Sequence, residues 1–270
     1  MFRGMPGDRA KSALADTRFA DLRWLAETGS TNDDVLALAR AGAPEGIVVV
    51  ADHQTAGRGR LDRTWEAPPE SSLLLSVLLR PPLPVRLAHL VATAVAVASA
   101  DACSEQLGVH PLLKWPNDLV IVRGERDDGR KVGGILAESV LSGDRLEAVV
   151  VGLGLNVNWP GMPPELESIA VSLNQVAERE VDREDLLVAI LRGLDDWCDR
   201  LELPGGRDQL HTRYRKLSAT IGRDVRVDLP HETIEGRAVE VTEDGHLVVR
   251  TAGSPHRREI AVGDVVHLRH

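Results

Sequence analysis

The stretch HQTAGRGRLDRTW, residues 53–65, places Arg58, Arg60 and Arg63 on one segment that also contains two glycines. It directly follows residues 47–51, an apolar run of the kind that forms a buried strand. Glycines beside arginines allow backbone N–H groups and guanidinium groups to converge on one anion. The stretch therefore predicts a loop that binds phosphate or carboxylate at a strand end. An exposed basic turn is the alternative, and this motif alone does not separate the two.

The chain around this loop is acidic. Its 270 residues include 32 Lys and Arg against 41 Asp and Glu, a formal charge of −9. General binding to DNA or to a membrane surface needs a basic face, so we expect neither partner. Like charges on one loop repel each other, so we expect the loop to be mobile until an anionic ligand orders it.

Cysteine usage and apolar segments predict a cytoplasmic protein. Cys103 and Cys198 cannot form a disulfide scaffold, which favours a reducing compartment and core positions for both. The first 18 residues contain no apolar segment of signal-peptide length. The longest apolar stretch, residues 87–100, is predicted to be too short to span a bilayer.

The order of helical and strand patterns predicts an α+β fold. Between residues 48 and 151 the predicted strands are joined mostly by short turns, and regular crossover helices are missing. This favours a mainly antiparallel sheet packed with helices over a doubly wound sheet. Helices are predicted to begin near Ser30 and to cover residues 85–107, 183–201 and 207–217.

Changes in the residue pattern along the chain predict three segments. Residues 1–20 read as a flexible N-terminal leader, and residues 21–217 as the main domain. From residue 218 to 270, short alternating strands with glycine turns predict a small all-β module.

A second candidate stretch is KWPND, residues 114–118. The proline fixes its own φ and restricts Trp115, which would hold Asn117 and Asp118 in a defined turn. Asn117 could then contact a phosphate or a metal-bound water, and Asp118 could bind Mg²⁺. For this stretch alone the favoured interpretation is an Asx turn with Trp115 in the core.

A third stretch is KVGGILAE, residues 131–138, where Lys131 precedes the glycine pair Gly133 and Gly134. Because glycines carry no side chain, a ligand can lie against this strand and meet the ammonium group. A strand-end lysine followed by a bulge is the alternative, and the stretch alone does not decide.

The two remaining stretches are GLGLNVN, residues 152–158, and Ser30-Thr31-Asn32. The first lacks the third glycine and following helix of a dinucleotide fingerprint, so it reads as a strand end with Asn156 at a turn. The second reads as a helix cap whose hydroxyl and N–H groups can also meet a polar ligand. The chain contains no P-loop motif, and its histidines do not show the spacing of a zinc site.

Taken together and in this order, the five stretches resemble the biotin–protein ligase family, the biotin–[acetyl-CoA-carboxylase] ligases. The resemblance covers residues 22–160 strongly and the β-rich tail weakly. The matching residues are Gly29-Ser30-Thr31-Asn32, Gln54-Thr55-Ala56-Gly57-Arg58-Gly59-Arg60 with Trp65, Lys114-Trp115-Pro116-Asn117-Asp118, Lys131-Val132-Gly133-Gly134-Ile135-Leu136-Ala137-Glu138 and Gly152-Leu153-Gly154-Leu155-Asn156.

The resemblance implies a catalytic domain like that of class II aminoacyl-tRNA synthetases and biotin ligases, followed by an SH3-like β-barrel. It also implies the reaction. Biotin and ATP, with Mg²⁺, form biotinyl-5′-AMP and pyrophosphate. The biotinyl group then passes to one lysine of a biotin carboxyl carrier domain of acetyl-CoA carboxylase or a related acyl-CoA carboxylase, and AMP leaves.

The resemblance further assigns site residues by position. Lys131, Arg58 and Arg60 are the predicted catalytic residues, and Asp118 is the predicted metal ligand. The predicted biotin-binding residues are Ser30, Thr31, Asn32, Gln54, Arg58, Gly59, Arg60, Lys131, Gly133 and Gly134. The residues predicted to bind ATP or the adenylate are Arg60, Arg63, Trp65, Lys114, Asn117, Lys131 and Asn156.

One departure from part of the family is the short segment before Ser30. Fewer than 30 residues precede it, whereas a winged helix-turn-helix needs about 60. We therefore expect a monofunctional ligase without operator binding. The rival hypotheses are a lipoate ligase or octanoyl transferase, a non-catalytic biotin sensor, and a nucleotide-binding protein without transfer activity. The transferases use a cysteine nucleophile, and neither cysteine here lies near a motif.

Overall fold

A central sheet organises the main domain in the computed structural model, which describes residues 6–124, 129–229, 231–251, 256–261 and 263–268. In this part of the chain the sheet has seven strands in the order β1-β2-β3-β7-β6-β5-β4. Strands β1 and β2 pair in parallel, and every other pair is antiparallel. The strands are β1 (Leu22–Thr28), β2 (Val48–Gln54), β3 (Ser72–Leu79), β4 (Leu112–Lys114), β5 (Asp118–Ile121), β6 (Arg130–Ser142) and β7 (Arg145–Asn156).

Helices cover both faces of this sheet, which explains why all eight residues of β3 are buried. One face packs against α2, through a small apolar cluster that includes Val35 and Leu36. The other face packs in the larger core with α3, α5 and α6. The helices are α1 (Asp8–Ala13), α2 (Thr31–Arg40), α3 (His89–Leu107), α4 (Leu173–Ala177), α5 (Arg183–Glu202) and α6 (Gly206–Leu217).

Helix α3 corrects the length argument made from sequence. With the preceding 3₁₀ turn, Val85–Leu107 forms one segment of 23 residues, which by length and composition could cross a membrane. Of its most apolar window, 67% is buried inside the protein. The segment contacts α5 and α6, so its apolar character is that of a core helix.

The expected flexible leader is also corrected. Residues 8–13 form α1, which contacts α5. Ala10, Leu14 and Phe19 have no exposed surface and belong to the main core. Lys11 and Asp16, between them, are exposed, and Arg9 pairs with Asp182 at the beginning of α5. The segment looked like a leader because its apolar residues are few and widely spaced.

A second, all-antiparallel sheet follows α6. In the described residues its order is β11-β10-β9-β8-β12. The strands are β8 (Asp224–Asp228), β9 (Thr233–Val241), β10 (Leu247–Thr251), β11 (Arg257–Ile260) and β12 (Asp264–His267). The expected α+β fold, with a mainly antiparallel sheet and an SH3-like C-terminal module, is confirmed.

Trp115 joins the two sheets. Its side chain is 4% exposed, and its indole Nε1 donates to the carbonyl oxygen of Gly245 at 2.9 Å. Its backbone N–H donates to Thr220 Oγ1 at 3.0 Å. Trp115 therefore lies in the core, as its sequence pattern predicted. The KWPND stretch that contains it spans the β4–β5 turn. The predicted domain boundaries at residues 20 and 217 remain predictions.

Leu14 provides a test of the packed N-terminal segment. We expect Leu14→Ala to lower the free energy of unfolding by about 2–5 kcal/mol, because it leaves a cavity in the core. Leu203, which is 62% exposed, is the matched control, and Leu203→Ala should change stability by less than about 0.5 kcal/mol. Denaturant unfolding measures both. Equal, small effects would show that the segment is not part of the cooperative fold.

Candidate active site

The predicted anion-binding loop is a narrow hairpin between β2 and β3, here called the arginine loop (residues 57–65). Gly59 N–H donates to the Arg63 carbonyl at 2.7 Å, and Trp65 N–H donates to the Gly57 carbonyl at 2.9 Å. At its tip Leu61 and Asp62 have φ of 55° and 57°, the left-handed conformation that is unfavourable for residues with a side chain. The loop is thus tightly folded and its tip is strained.

A cavity of about 330 Å³ lies between this loop, the sheet and the C-terminal module. It brings together most of the site residues predicted from sequence, which come from α2, the arginine loop, the β4–β5 turn and strand β6. Those residues are Ser30, Thr31, Asn32, Gln54, Arg58, Gly59, Arg60, Arg63, Trp65, Lys114, Asn117, Asp118, Lys131 and Gly134. Asp264, Val265 and Val266 of β12 also line it, from the C-terminal module.

Two predicted site residues, Gly133 and Asn156, do not line this cavity. A Cβ at Gly133 would lie 2.9 Å from Leu155 Cδ1, so this glycine faces the core side of the sheet. Asn156 is 5% exposed, and its Nδ2 donates to the Val171 carbonyl at 3.2 Å. The structure places both behind the cavity wall, and their ligand contacts remain predictions.

Buried neutral polar groups form one end of the cavity. Backbone N–H and Oγ1 of Thr31 lie 2.8 and 3.0 Å from Gln54 Oε1. Ser76 Oγ donates to Asn32 Oδ1 at 2.6 Å and lies 2.8 Å from Thr31 Oγ1. Asn32 Nδ2 donates to Glu138 Oε2 at 2.8 Å. Connected side-chain hydrogen bonds of this kind fix each group in one orientation.

Sequence reasoning missed Ser76 and gave Glu138 no role. Ser76 is fully buried in β3, whose sequence is SLLLSVLL. A polar residue within such an apolar strand was the available signal, because a buried hydroxyl needs a partner. Glu138 lies in the quoted KVGGILAE stretch, but its position beside Asn32 and Arg58 follows only from the pairing of β6 with β7.

Carboxylates from other elements neutralise several of the cations. Arg58 donates to Asp33 Oδ1 at 2.6 Å and to Glu138 Oε2 at 2.8 Å. Lys131 Nζ lies 2.7 Å from Asp118 Oδ1. These pairs correct the basis on which a mobile loop was expected, because the loop cations do not face one another without counter-ions. Arg63 likewise pairs with Asp264 of β12.

Arg60 differs from its neighbours. Its NH1 donates to Asn117 Oδ1 at 3.3 Å, and it has no ion pair with a carboxylate in the described ranges. Burial lowers the pKa of Arg60, and the negative charges of Asp264 and Asp118 oppose that effect. A half-buried guanidinium without a paired carboxylate is the group in this cavity best suited to receive an anionic ligand.

Trp65 covers the middle of the cavity. Lys131 Nζ lies 5.4 Å from the centre of its ring, a cation–π distance. A Cβ added at Gly154 would lie 2.6 Å from the indole, so the glycine makes room for the ring. The buried Nε1 has no hydrogen-bond partner among the described residues. The indole is thus held flat against the sheet.

A larger cavity of about 890 Å³ adjoins the first, between α3, α6 and the C-terminal module. The two share the arginine loop and the Trp115–Asn117 turn as walls. The cysteines lie elsewhere: burial raises the pKa of both the Cys103 and the Cys198 thiol to about 12, which disfavours a thiolate. Neither cysteine lines the two cavities; Cys103 lies in the core, as expected, whereas Cys198 is only partly buried and packs against it.

Fold and site together define a class of enzyme domain. An antiparallel sheet holds a neutral polar recess beside a cluster of cations, and an attached β module closes the side of the cavity. This arrangement is suited to a ligand with a polar head and an anionic end.

Two family models match the chain. The Biotin/lipoate A/B protein ligase family matches residues 25–156, and the Biotin protein ligase C terminal domain matches residues 220–268. A biotin–[acetyl-CoA-carboxylase] ligase of Mycobacterium tuberculosis is 37% identical over 261 residues, which cover 94% of this chain and 92% of that protein. The bifunctional ligase/repressor BirA of Bacillus subtilis is 34% identical over 224 residues, or 82% of this chain and 67% of that protein.

A solved structure agrees with these relatives. The biotin protein ligase from Aquifex aeolicus, in complex with biotin and ATP, superposes with a TM-score of 0.77 at 28% identity, over 93% of this chain and all of that one. The chain therefore belongs to the biotin protein ligase family, and it is a ligase enzyme.

Gly152 tests the packing of the polar recess. A Cβ at this position would lie 2.2 Å from Asn32 Oδ1. We expect Gly152→Ala to lower the free energy of unfolding by about 1–3 kcal/mol, because Asn32 must move and leave buried partners unsatisfied. Gly161→Ala is the control, since nothing lies within 4 Å of its Cβ. Denaturant unfolding of both variants gives the comparison, and an unchanged Gly152→Ala protein would contradict this packing.

Proposed function

We propose that this enzyme attaches biotin to one lysine of a biotin carboxyl carrier domain and uses ATP to do so. In the first step an oxygen of the biotin carboxylate attacks the α-phosphorus of ATP, and pyrophosphate leaves. In the second step the lysine ε-amine attacks the acyl carbon of biotinyl-5′-AMP, loses a proton, and AMP leaves. The acceptor is the carrier domain of acetyl-CoA carboxylase or a related acyl-CoA carboxylase, and the reaction takes place in the cytoplasm.

The observation that carries the proposal is the arrangement of Arg58, Arg60 and Lys131 around one cavity, next to a recess of neutral hydrogen-bonding groups. Both steps develop or redistribute negative charge on carboxylate and phosphate oxygens. Preorganised cations in a partly closed site stabilise that charge. A site with cations alone would suit any polyphosphate, and the recess is what favours a ligand with an uncharged polar head.

In this proposal the recess binds the ureido ring of biotin. The ureido group has one carbonyl acceptor and two N–H donors, and the hydroxyl and amide side chains of Ser30, Thr31, Asn32 and Gln54 can supply both kinds of partner. Gly152 leaves space beside Asn32. The carboxylate end of biotin then points toward the cations.

The cations hold the reacting groups in the same proposal. Arg58 and Lys131 exchange their carboxylate partners for the biotin carboxylate and the α-phosphate, and Arg60 meets the phosphate directly. The nucleotide side of the cavity is lined by Arg63, Trp65, Lys114 and Asn117. Asn156 lies behind this wall and supports it. A closed site also excludes water, which protects the mixed anhydride from hydrolysis.

Mg²⁺ would neutralise the charge of the triphosphate and its leaving group. We propose Asp118 as its protein ligand, because this residue lines the cavity. In the structure that carboxylate is the counter-ion of Lys131. A ligand role for Asp118 thus depends on Lys131 moving to the anionic substrate.

The decisive experiment is incubation of the enzyme with labelled biotin, ATP, Mg²⁺ and a carrier domain. Transfer of the label to one carrier lysine supports the proposed function. Label retained on the enzyme without transfer would indicate a biotin sensor, and no binding of biotin would reject the proposal. A parallel reaction with labelled lipoate or octanoate tests the rival ligase and transferase activities.

A substitution at Lys131 tests the proposed role of this residue in adenylate formation. We expect Lys131→Met to slow adenylate formation about 10²–10³-fold, measured as biotin-dependent exchange of pyrophosphate into ATP, because a charge that stabilises the transition state is lost. Lys216→Met is the control: Lys216 is exposed on α6 and does not line this cavity. Equal exchange rates in both variants would remove Lys131 from the mechanism.

A further inference from the structure

The C-terminal module contributes a charged residue to the site. Asp264, the first residue of β12, pairs with Arg63 of the arginine loop. The two positions are 201 residues apart in the chain. Asp264, Val265 and Val266 line the same cavity as Arg60 and Arg63. The module therefore reaches the loop at the point where the loop covers the cavity.

The conformation of the arginine loop needs contacts outside the loop to stabilise it. Leu61 and Asp62 both adopt left-handed backbone conformations at its tip, which are unfavourable for residues with a Cβ. Strained conformations persist only where the surrounding structure holds them. The internal hydrogen bond from Gly59 N–H to the Arg63 carbonyl closes the hairpin, but it does not fix the hairpin to the rest of the protein. The pairs of Arg58 and the bond from Arg60 to Asn117 tie it to the main domain, and the Arg63–Asp264 pair ties it to the C-terminal module.

Sheet stability does not account for an aspartate at this position. In the register of β12 against β8, Asp264 lies opposite Asp228. Like charges at directly opposite positions are unfavourable in an antiparallel pair. Asp228 has its own contacts, to Arg226 at 3.3 Å and to Thr233 at 3.1 Å. The contact that offsets the charge of Asp264 comes from the arginine loop.

Asp264 also faces Arg60, and its charge favours the protonated guanidinium there against the effect of burial. One carboxylate of the C-terminal module thus acts on two cations of the loop. Both cations are among the residues predicted to contact the adenylate.

We propose that Asp264 is a positioning residue that keeps the arginine loop closed over the acyl-adenylate between the two reaction steps. The inference rests on the proposed function. When the Arg63–Asp264 pair is broken, the loop opens more often and biotinyl-5′-AMP escapes. Water then attacks its acyl carbon in solution, the acyl–phosphate bond breaks, and free biotin and AMP form without a carrier.

The test uses the full-length enzyme with biotin, ATP and Mg²⁺ but no carrier, and measures AMP formation over time. We expect Asp264→Asn to raise this leak about two- to five-fold, the range for loss of one partly exposed ion pair. Asp244→Asn is the matched control, because the carboxylate of Asp244 pairs across the same two domains at 3.0 Å with Arg86, which lies outside the arginine loop. Its rate of AMP formation without carrier, here called the leak, should equal that of the unsubstituted enzyme.

A double-substitution cycle shows whether Asp264 acts through Arg63. If it acts mainly through Arg63, adding Asp264→Asn to the Arg63→Gln variant will raise the rate of AMP formation far less than Asp264→Asn does alone, because only the effect of Asp264 on Arg60 remains. Additive effects would overturn the proposal, as would an unchanged Asp264→Asn enzyme or equal leaks in the Asp264→Asn and Asp244→Asn variants. Failure of the unsubstituted enzyme to label the carrier would instead reject the proposed function, so the two failures are distinguishable.

Discussion

Cationic side chains can crowd into one cavity of this acidic protein because carboxylates from separate elements lie against them. Asp33 comes from α2, Glu138 from β6, Asp118 from β5 and Asp264 from β12. Moving a cation out of water without such a partner costs roughly several kcal/mol, even after the surrounding protein relaxes. The site thus depends on the pairing of the central sheet and on the position of the C-terminal module, because the sheet supplies two of the counter-ions and the module supplies another.

The sheet also provides the space that this site needs. In the register of β6 against β7, Gly134 lies opposite Gly154, and Leu136 lies opposite Gly152. Glycines at these positions leave room on one face for Trp65, the Lys131 side chain and Asn32. A Cβ at any of the three would contact a group that lines the cavity. The backbone of the sheet is therefore part of the binding surface, and its glycines serve the site as well as the fold.

Local patterns in the sequence predicted the parts of the site that lie within short segments. The arginine loop, the β4–β5 turn and Lys131 were found in this way because glycine, proline and charge are visible side by side. Ser76, Glu138 and Asp264 were missed because they reach the site from other elements, 44, 106 and 201 residues from their partners. Strand β1 was also missed, since it lies at the sheet edge and most of its residues are at least partly exposed.

In the proposed function the same counter-ions determine which ligand the site prefers. In the proposed function an incoming carboxylate or phosphate does not meet bare cations, but must displace Glu138, Asp33 and Asp118 from Arg58 and Lys131. A single small anion gains little by this exchange. An acyl-adenylate carries one negative charge, on its phosphate, and a neutral acyl carbonyl beside it; because the two groups are covalently linked, binding one raises the effective concentration of the other. In the proposed function this linkage favours the intermediate over either of its separate halves, which is what an enzyme that must retain a reactive anhydride requires.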